Sequence, residues 1–197
     1  MLRGTSQRVA IGSRCRWFGG RCDGFQGGRT ARGRVRFCLV DRILEVEPGA
    51  RIVTVKAVTM AEEYLADHFP TFPVLPGVLM LEALTESAAW LYRISRDFEQ
   101  SLVLLKDAKN VTYRSFVKPG HVLRVEVTCR RMAPGESEYL GTGFCDDQET
   151  VKGRFTLRHF SLAERSAELA PVDQRMIRAA RARLSLLRLP AASPVSG

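Results

Sequence analysis

The sequence predicts an α+β domain in which an antiparallel sheet wraps around one long helix. Two observations carry this. Residues 77–95 keep helical spacing of apolar side chains with no breaker beyond the first position. Four strand-like stretches then follow in succession, joined only by short turns, and strands joined that way pair antiparallel. With 197 residues and no internal repeat, the chain is long enough for one such domain with extensions.

Residues 37–46 (Phe-Cys-Leu-Val-Asp-Arg-Ile-Leu-Glu-Val) read as the first strand, and Pro48-Gly49 as the turn that ends it. In 51–59, Ile52, Val53, Val55 and Val58 mark its hairpin partner. Residues 61–66 form a short helical turn. Pro70, Pro73 and Pro76 fix φ and lack an N–H, so 69–76 reads as a stiff, extended loop. Gly77 lets the chain turn sharply into the helix. Along that helix Val78, Leu81, Leu84, Ala88 and Leu91 make the apolar stripe. Leu79, Met80 and Trp90 widen it, which predicts a helix buried by its surroundings along its first half. Strands are expected at about 101–117, 121–133, 137–147 and 150–160. Their turns fall at Pro119-Gly120, Pro134-Gly135 and Asp146-Asp147.

Three regions follow. Residues 1–34 are Gly/Arg-rich without hydrophobic period and read as a disordered extension. An organelle transit peptide and a mis-assigned translation start are the other readings, and the last is favoured. Residues 35–162 are the folded domain. Residues 163–197 are a basic C-terminal helix and tail, in which Arg175, Arg178, Arg181 and Arg188 alternate with Met176, Ile177, Leu184 and Leu187. Docking on the core is expected of it, with an acidic partner or a membrane surface as the sharper alternative.

The net charge of +9 suggests nucleic acid until it is located. Residues 1–36 carry +8 and 164–197 carry +3, while the middle of the chain carries −2. The basicity belongs to the ends, so no nucleic-acid-binding core is predicted. The five cysteines follow no metal-ligand spacing and read as free thiols of a reducing cytoplasm. No run approaches the ~18 apolar residues of a membrane span.

The chemistry concentrates between His68 and Glu82. Histidine changes charge near neutral pH and serves as a base. Glu82 lies among Leu79, Met80, Leu81, Ala83 and Leu84, where an ionised carboxylate is costly, so its pKa is expected to rise. The free N–H groups of Gly77 and Val78 would make the helix start electropositive. An acid and a base beside free donors suit proton transfer next to a carbonyl. His121, after a Pro-Gly turn, and His159, at the end of the last strand, are expected at the surface.

His68-Phe69-Pro70, Pro73, Pro76-Gly77-Val78 and Glu82-Ala83 resemble the active-site motif of bacterial 3-hydroxyacyl-(acyl-carrier-protein) dehydratases of the FabZ type. Asp107-Ala108-Lys109 and Phe116-Val117-Lys118-Pro119-Gly120 resemble that family's later strand and turn, and the likeness covers roughly residues 37–160. The resemblance implies a hotdog fold and dehydration of 3-hydroxyacyl thioesters to trans-2-enoyl thioesters in fatty acid biosynthesis. It implies His68 and Glu82 as the reacting pair, taken from two different subunits of a homodimer or higher oligomer. Gly77 and Val78 would bind the substrate carbonyl. An acyl carrier protein would deliver the substrate in the cytoplasm, with no cofactor, metal, nucleic acid or integral membrane segment. The alternatives are a hydratase or thioesterase acting on acyl-coenzyme A, or a non-catalytic acyl-binding hotdog protein. Three positions depart from the family pattern: Thr71 for glycine, Glu86 for glutamine and His121 for aspartate. Glu86 lies one helical turn from Glu82, where its charge would tune the acid or mark a specialised substrate, so it joins the substrate-binding candidates.

Overall fold

The computed structural model describes residues 38–188. The extension at 1–34, Cys15 and Cys22 lie outside the described residues. The strands are β1 (Arg42–Glu47), β2 (Arg51–Ala57), β3 (Leu102–Tyr113), β4 (Val122–Ala133), β5 (Glu136–Cys145) and β6 (Gln148–Phe160). The helices are α1 (Gly77–Ser95) and α2 (Ala170–Leu187), with short 3₁₀ turns at Glu63–Leu65, Leu162–Glu164 and Ala167–Leu169. The strands form one antiparallel sheet in the order β1-β2-β4-β5-β6-β3.

The sheet curls around α1, which packs against β2 through β6. Alternation in the strands sets which side chains meet the helix. In β4, Leu123, Val125 and Val127 are buried while Arg124, Glu126 and Thr128 are not. Met80, Leu84, Ala88 and Leu91 face them from α1. Gly141 on β5 makes this close approach possible: a Cβ there would lie 3.3 Å from the Leu84 Cβ and 3.0 Å from the Phe155 ring. A buried polar clasp adds register, with the Thr54 and Ser87 hydroxyls 2.7 Å apart.

Several expectations are corrected. Leu39 and Val40 are buried but precede β1, whose pairing begins at Asp41 N–H to Val55 O, 2.9 Å. Their apolar character serves core filling, which a strand pattern mimics. The first turns of α1 are not enclosed on all sides: Val78 is 71% exposed and Glu82 is exposed as well. His159, expected at the surface, is 4% exposed and stacks on Tyr92 with ring centroids 3.9 Å apart. Burial first of all lowers its pKa and keeps it neutral. At the end of a strand on the sheet's inner side, its period-2 position outweighs its polarity.

α2 docks on the core as expected. Leu187 is buried, and Ile177, Ala180 and Leu184 pack against the same cluster. Its first turn is held by Asp173, whose carboxylate accepts from the Ser101 hydroxyl and from the N–H groups of Leu162 (3.0 Å) and Ala163 (2.8 Å). Those bonds, Ser101's first, hold the Asp173 carboxyl below its ordinary value. A depressed carboxyl contributes stability that is complete above its unfolded value of about 3.9 and is lost as pH falls through the lower folded value. Asp173→Ala is therefore expected to loosen α2 at neutral pH, read as faster tryptic cleavage after Arg175 and Arg178. In the unsubstituted protein, the Asp173 contribution to α2 amide protection, taken relative to the intrinsic exchange rate, should be lost only below about pH 3.9.

Candidate active site

The proline-rich segment folds back rather than extending. Phe72 N–H donates to Phe69 O (3.0 Å), and Val74 N–H donates to His68 O (3.1 Å). Pro70 sits second in a tight turn over Phe69-Pro70-Thr71-Phe72, where its fixed φ favours reversal. Proline restricts φ alone, so a proline-rich run is as compatible with a turn as with extension. Thr71 keeps a negative φ, so this turn does not require the glycine of the family pattern.

The reversal brings the Val74 carbonyl to the His68 imidazole, with Nδ1 and Val74 O 3.4 Å apart. A carbonyl only accepts, so in this contact Nδ1 carries a proton, and in the neutral ring Nε2 then keeps its lone pair. No periodicity signals this bond, because it depends on a loop closing over six residues. The loop is anchored at its far end by Leu75 N–H donating to Val117 O at 2.8 Å. Thus the two sequence motifs are physically joined: the later Val117 turn fixes where Pro76 and the start of α1 sit.

His68, Leu75, Gly77, Met80, Tyr113 and Phe116 are among the residues lining a cleft of about 180 Å³. Gly77 is packed under the Tyr113 ring, which a Cβ on Gly77 would approach to 3.2 Å. Neither Gly77 nor Val78 donates its N–H to an acceptor among the described residues. With no acidic residue in the first turn of α1, those donors stay electropositive.

Glu82 stands apart from this cleft. It is exposed on the same helix face as Val78, and no hydrogen bond or ion pair joins it to His68 within the chain. Its carboxyl nonetheless lies above the ordinary carboxylate value, through desolvation first and the charge of Glu86 second. Glu86 is fully engaged. Its Oε2 accepts from Leu39 N–H (2.8 Å) and its Oε1 from Arg183 (2.9 Å). The substrate-binding expectation for Glu86 thus meets a carboxylate already occupied by the core and by α2. His121 lies 3.4 Å from Asp146 through Nε2. Among the described residues no group of His, Cys, Asp and Glu has a metal-binding arrangement, and no helix is long and apolar enough to cross a membrane.

Residues 32–155 match the family described as the FabA-like domain. The 3-hydroxyacyl-(acyl-carrier-protein) dehydratase FabZ of Roseiflexus castenholzii is 37% identical over 120 residues, covering 61% of this chain and 84% of that relative. FabZ of Chloroflexus aggregans is 42% identical over 102 residues, covering 52% of this chain and 71% of that relative. Among solved structures, the dehydratase heterocomplex ApeI:P of Xenorhabdus doucetiae has a TM-score of 0.53 at 16% identity, over 68% of this chain and 90% of that one. That likeness is one of fold, and the sheet curled around a single long helix is the hotdog fold. By the family match and by the share of these relatives it spans, the chain belongs to the FabA-like family and, within it, to the FabZ-type dehydratases.

Proposed function

We propose that the protein dehydrates 3-hydroxyacyl thioesters, carried on an acyl carrier protein, to trans-2-enoyl thioesters for fatty acid biosynthesis. The observation that carries this reading is His68, whose Nδ1 is turned to Val74 O beside a cleft ending at the unengaged N–H groups of α1. The free Nε2 takes the α-proton of the thioester. The Gly77 or Val78 N–H donates to the thioester oxygen as enolate charge develops. The electrons then form the Cα–Cβ double bond while the β-hydroxyl leaves with a proton from Glu82. Water is the second product, and proton exchange between the imidazolium and the carboxylate resets the pair. Glu82 must be protonated to act, and its raised pKa favours that form.

The pair is completed by a second copy of the chain. Within one chain the two side chains are not joined, while Val78 and Glu82 face outward together. β3 is an outermost strand of twelve residues, with Leu104 and Leu105 exposed. An open edge of that length invites pairing, and a two-fold axis would build the site twice.

Enoyl absorbance and free thiol, followed together on 3-hydroxyacyl thioesters of carrier protein and of coenzyme A, test the proposal. Enoyl product without thiol release, faster on the carrier, is expected. Thiol release would make the protein a thioesterase, and binding without turnover an acyl-binding protein. The alkaline limb of kcat/KM should lie above that of an ordinary glutamate, because activity fades as pH rises through the raised Glu82 value.

A further inference from the structure

α2 lies beyond residues 32–155, the part of the chain that matches the family. It nevertheless reaches the helix that carries Glu82. Arg183 Nη2 is 2.9 Å from Glu86 Oε1 and 3.5 Å from the Val40 carbonyl, and its guanidinium lies over the Trp90 ring at 5.9 Å. Glu86 is one turn along α1 from Glu82, on the same face. Its other oxygen is held by Leu39 N–H. Both oxygens of a largely buried carboxylate are therefore fixed, one by the main chain and one by a residue that only α2 supplies.

We propose that Arg183 is a positioning residue for the reaction. By clamping and neutralising Glu86, it sets the electrostatic surroundings of Glu82, so the C-terminal helix takes part in preparing the acid of the site. The proposal rests on the reading of Glu82 as that acid. Glu86 faces Arg183 from α2, the Leu39 N–H from the segment before β1, and Arg93 and Glu82 from α1 itself. Arg93 feels Glu86 and Arg183 with opposite sign, which places all three in one charge cluster around Trp90. Among the described charged groups, Glu86 is the one whose charge raises the Glu82 carboxyl. Arg183, bonded to Glu86, offsets the charge that Glu86 presents to the acid.

The sign follows. Two coupled carboxylates that lose a cation hold their protons to higher pH, whichever of the two carries them. Arg183→Gln should raise the Glu82 titration by about 0.3–1 pH unit and carry the alkaline limb of kcat/KM upward with it. Glu86→Gln should move both downward, and with no carboxylate left to clamp, adding Arg183→Gln to Glu86→Gln should then move both by less than it does alone. Arg183→Lys keeps the charge and should hold the titration near its original place.

Carbonyl-carbon NMR titration of Glu82 and the pH–rate profile are measured on each folded variant. If the Glu82 titration stays put in Arg183→Gln, or moves equally with and without Glu86, Arg183 is structural and the proposal fails. If the titration moves while the profile does not, the assignment of Glu82 as the acid fails and the electrostatic link stands. Should Arg183→Gln not fold, Arg183→Met, which keeps an apolar stem beside Trp90 and drops the charge, decides the matter by the same two readouts.

Discussion

His68→Ala and Glu82→Gln should each reduce turnover on the order of 10²-fold or more, because each removes one proton-transfer group. Refolded together, the two inactive variants should recover activity. In a mixed dimer one site collects both defects and the other collects neither. Random exchange makes half the dimers mixed, so recovery should approach about a quarter of the unsubstituted protein. The motivation is the separation of the pair: His68 is tied to Val74 beside Gly77, while Glu82 faces out with Val78. The measurement is turnover after unfolding, mixing and refolding, with unsubstituted protein taken through the same steps. A mixture no more active than its parents would place both groups of a site in one chain.

The second large effect is on stability. Leu84 is fully buried where α1 meets the sheet at Gly141. Leu84→Ala should cost about 2–5 kcal/mol, the transfer term plus the cavity left by a rigid neighbourhood. At roughly 2–4 °C per kcal/mol for a chain of this size, Tm should fall by about 4–20 °C. Leu186→Ala, at a side chain 66% exposed, should stay within about 0.5 kcal/mol. Thermal unfolding of both variants checks the comparison. Equal losses at the two positions would mean that α1 is not seated as described.

The sequence disclosed most of this frame because local signals agreed with the packing. The expected helix at 77–95 is α1, and the turns at Gly120 and Gly135 fall where those glycines adopt positive φ. Asp146 and Asp147 also take positive φ, a hairpin-turn geometry in which Asp is tolerated. What stayed hidden was contact that no periodicity encodes. The bond from His68 to Val74, the anchor from Leu75 to Val117 and the clamp of Arg183 on Glu86 join residues that share no period. Glu86 shows the limit well: its spacing from Glu82 was legible, and its two partners on Leu39 and α2 were not. His159 was misplaced because polarity was weighed above strand register.

The strand order has a consequence for the growing chain. Among the described residues β3 has no sheet partner except β6, the last of the six strands to be made. At roughly 5–20 residues per second, a ribosome needs about 2–10 s to go from Tyr113 to Phe160. Throughout that interval β3 lacks its sheet partner, and the part of α1 that packs on β6 lacks its cover. Final closure then waits on pairing between segments far apart in sequence, which is intrinsically slow. While β3 awaits β6, a newly made chain therefore carries a twelve-residue strand with both edges unpaired, a template for pairing with other chains.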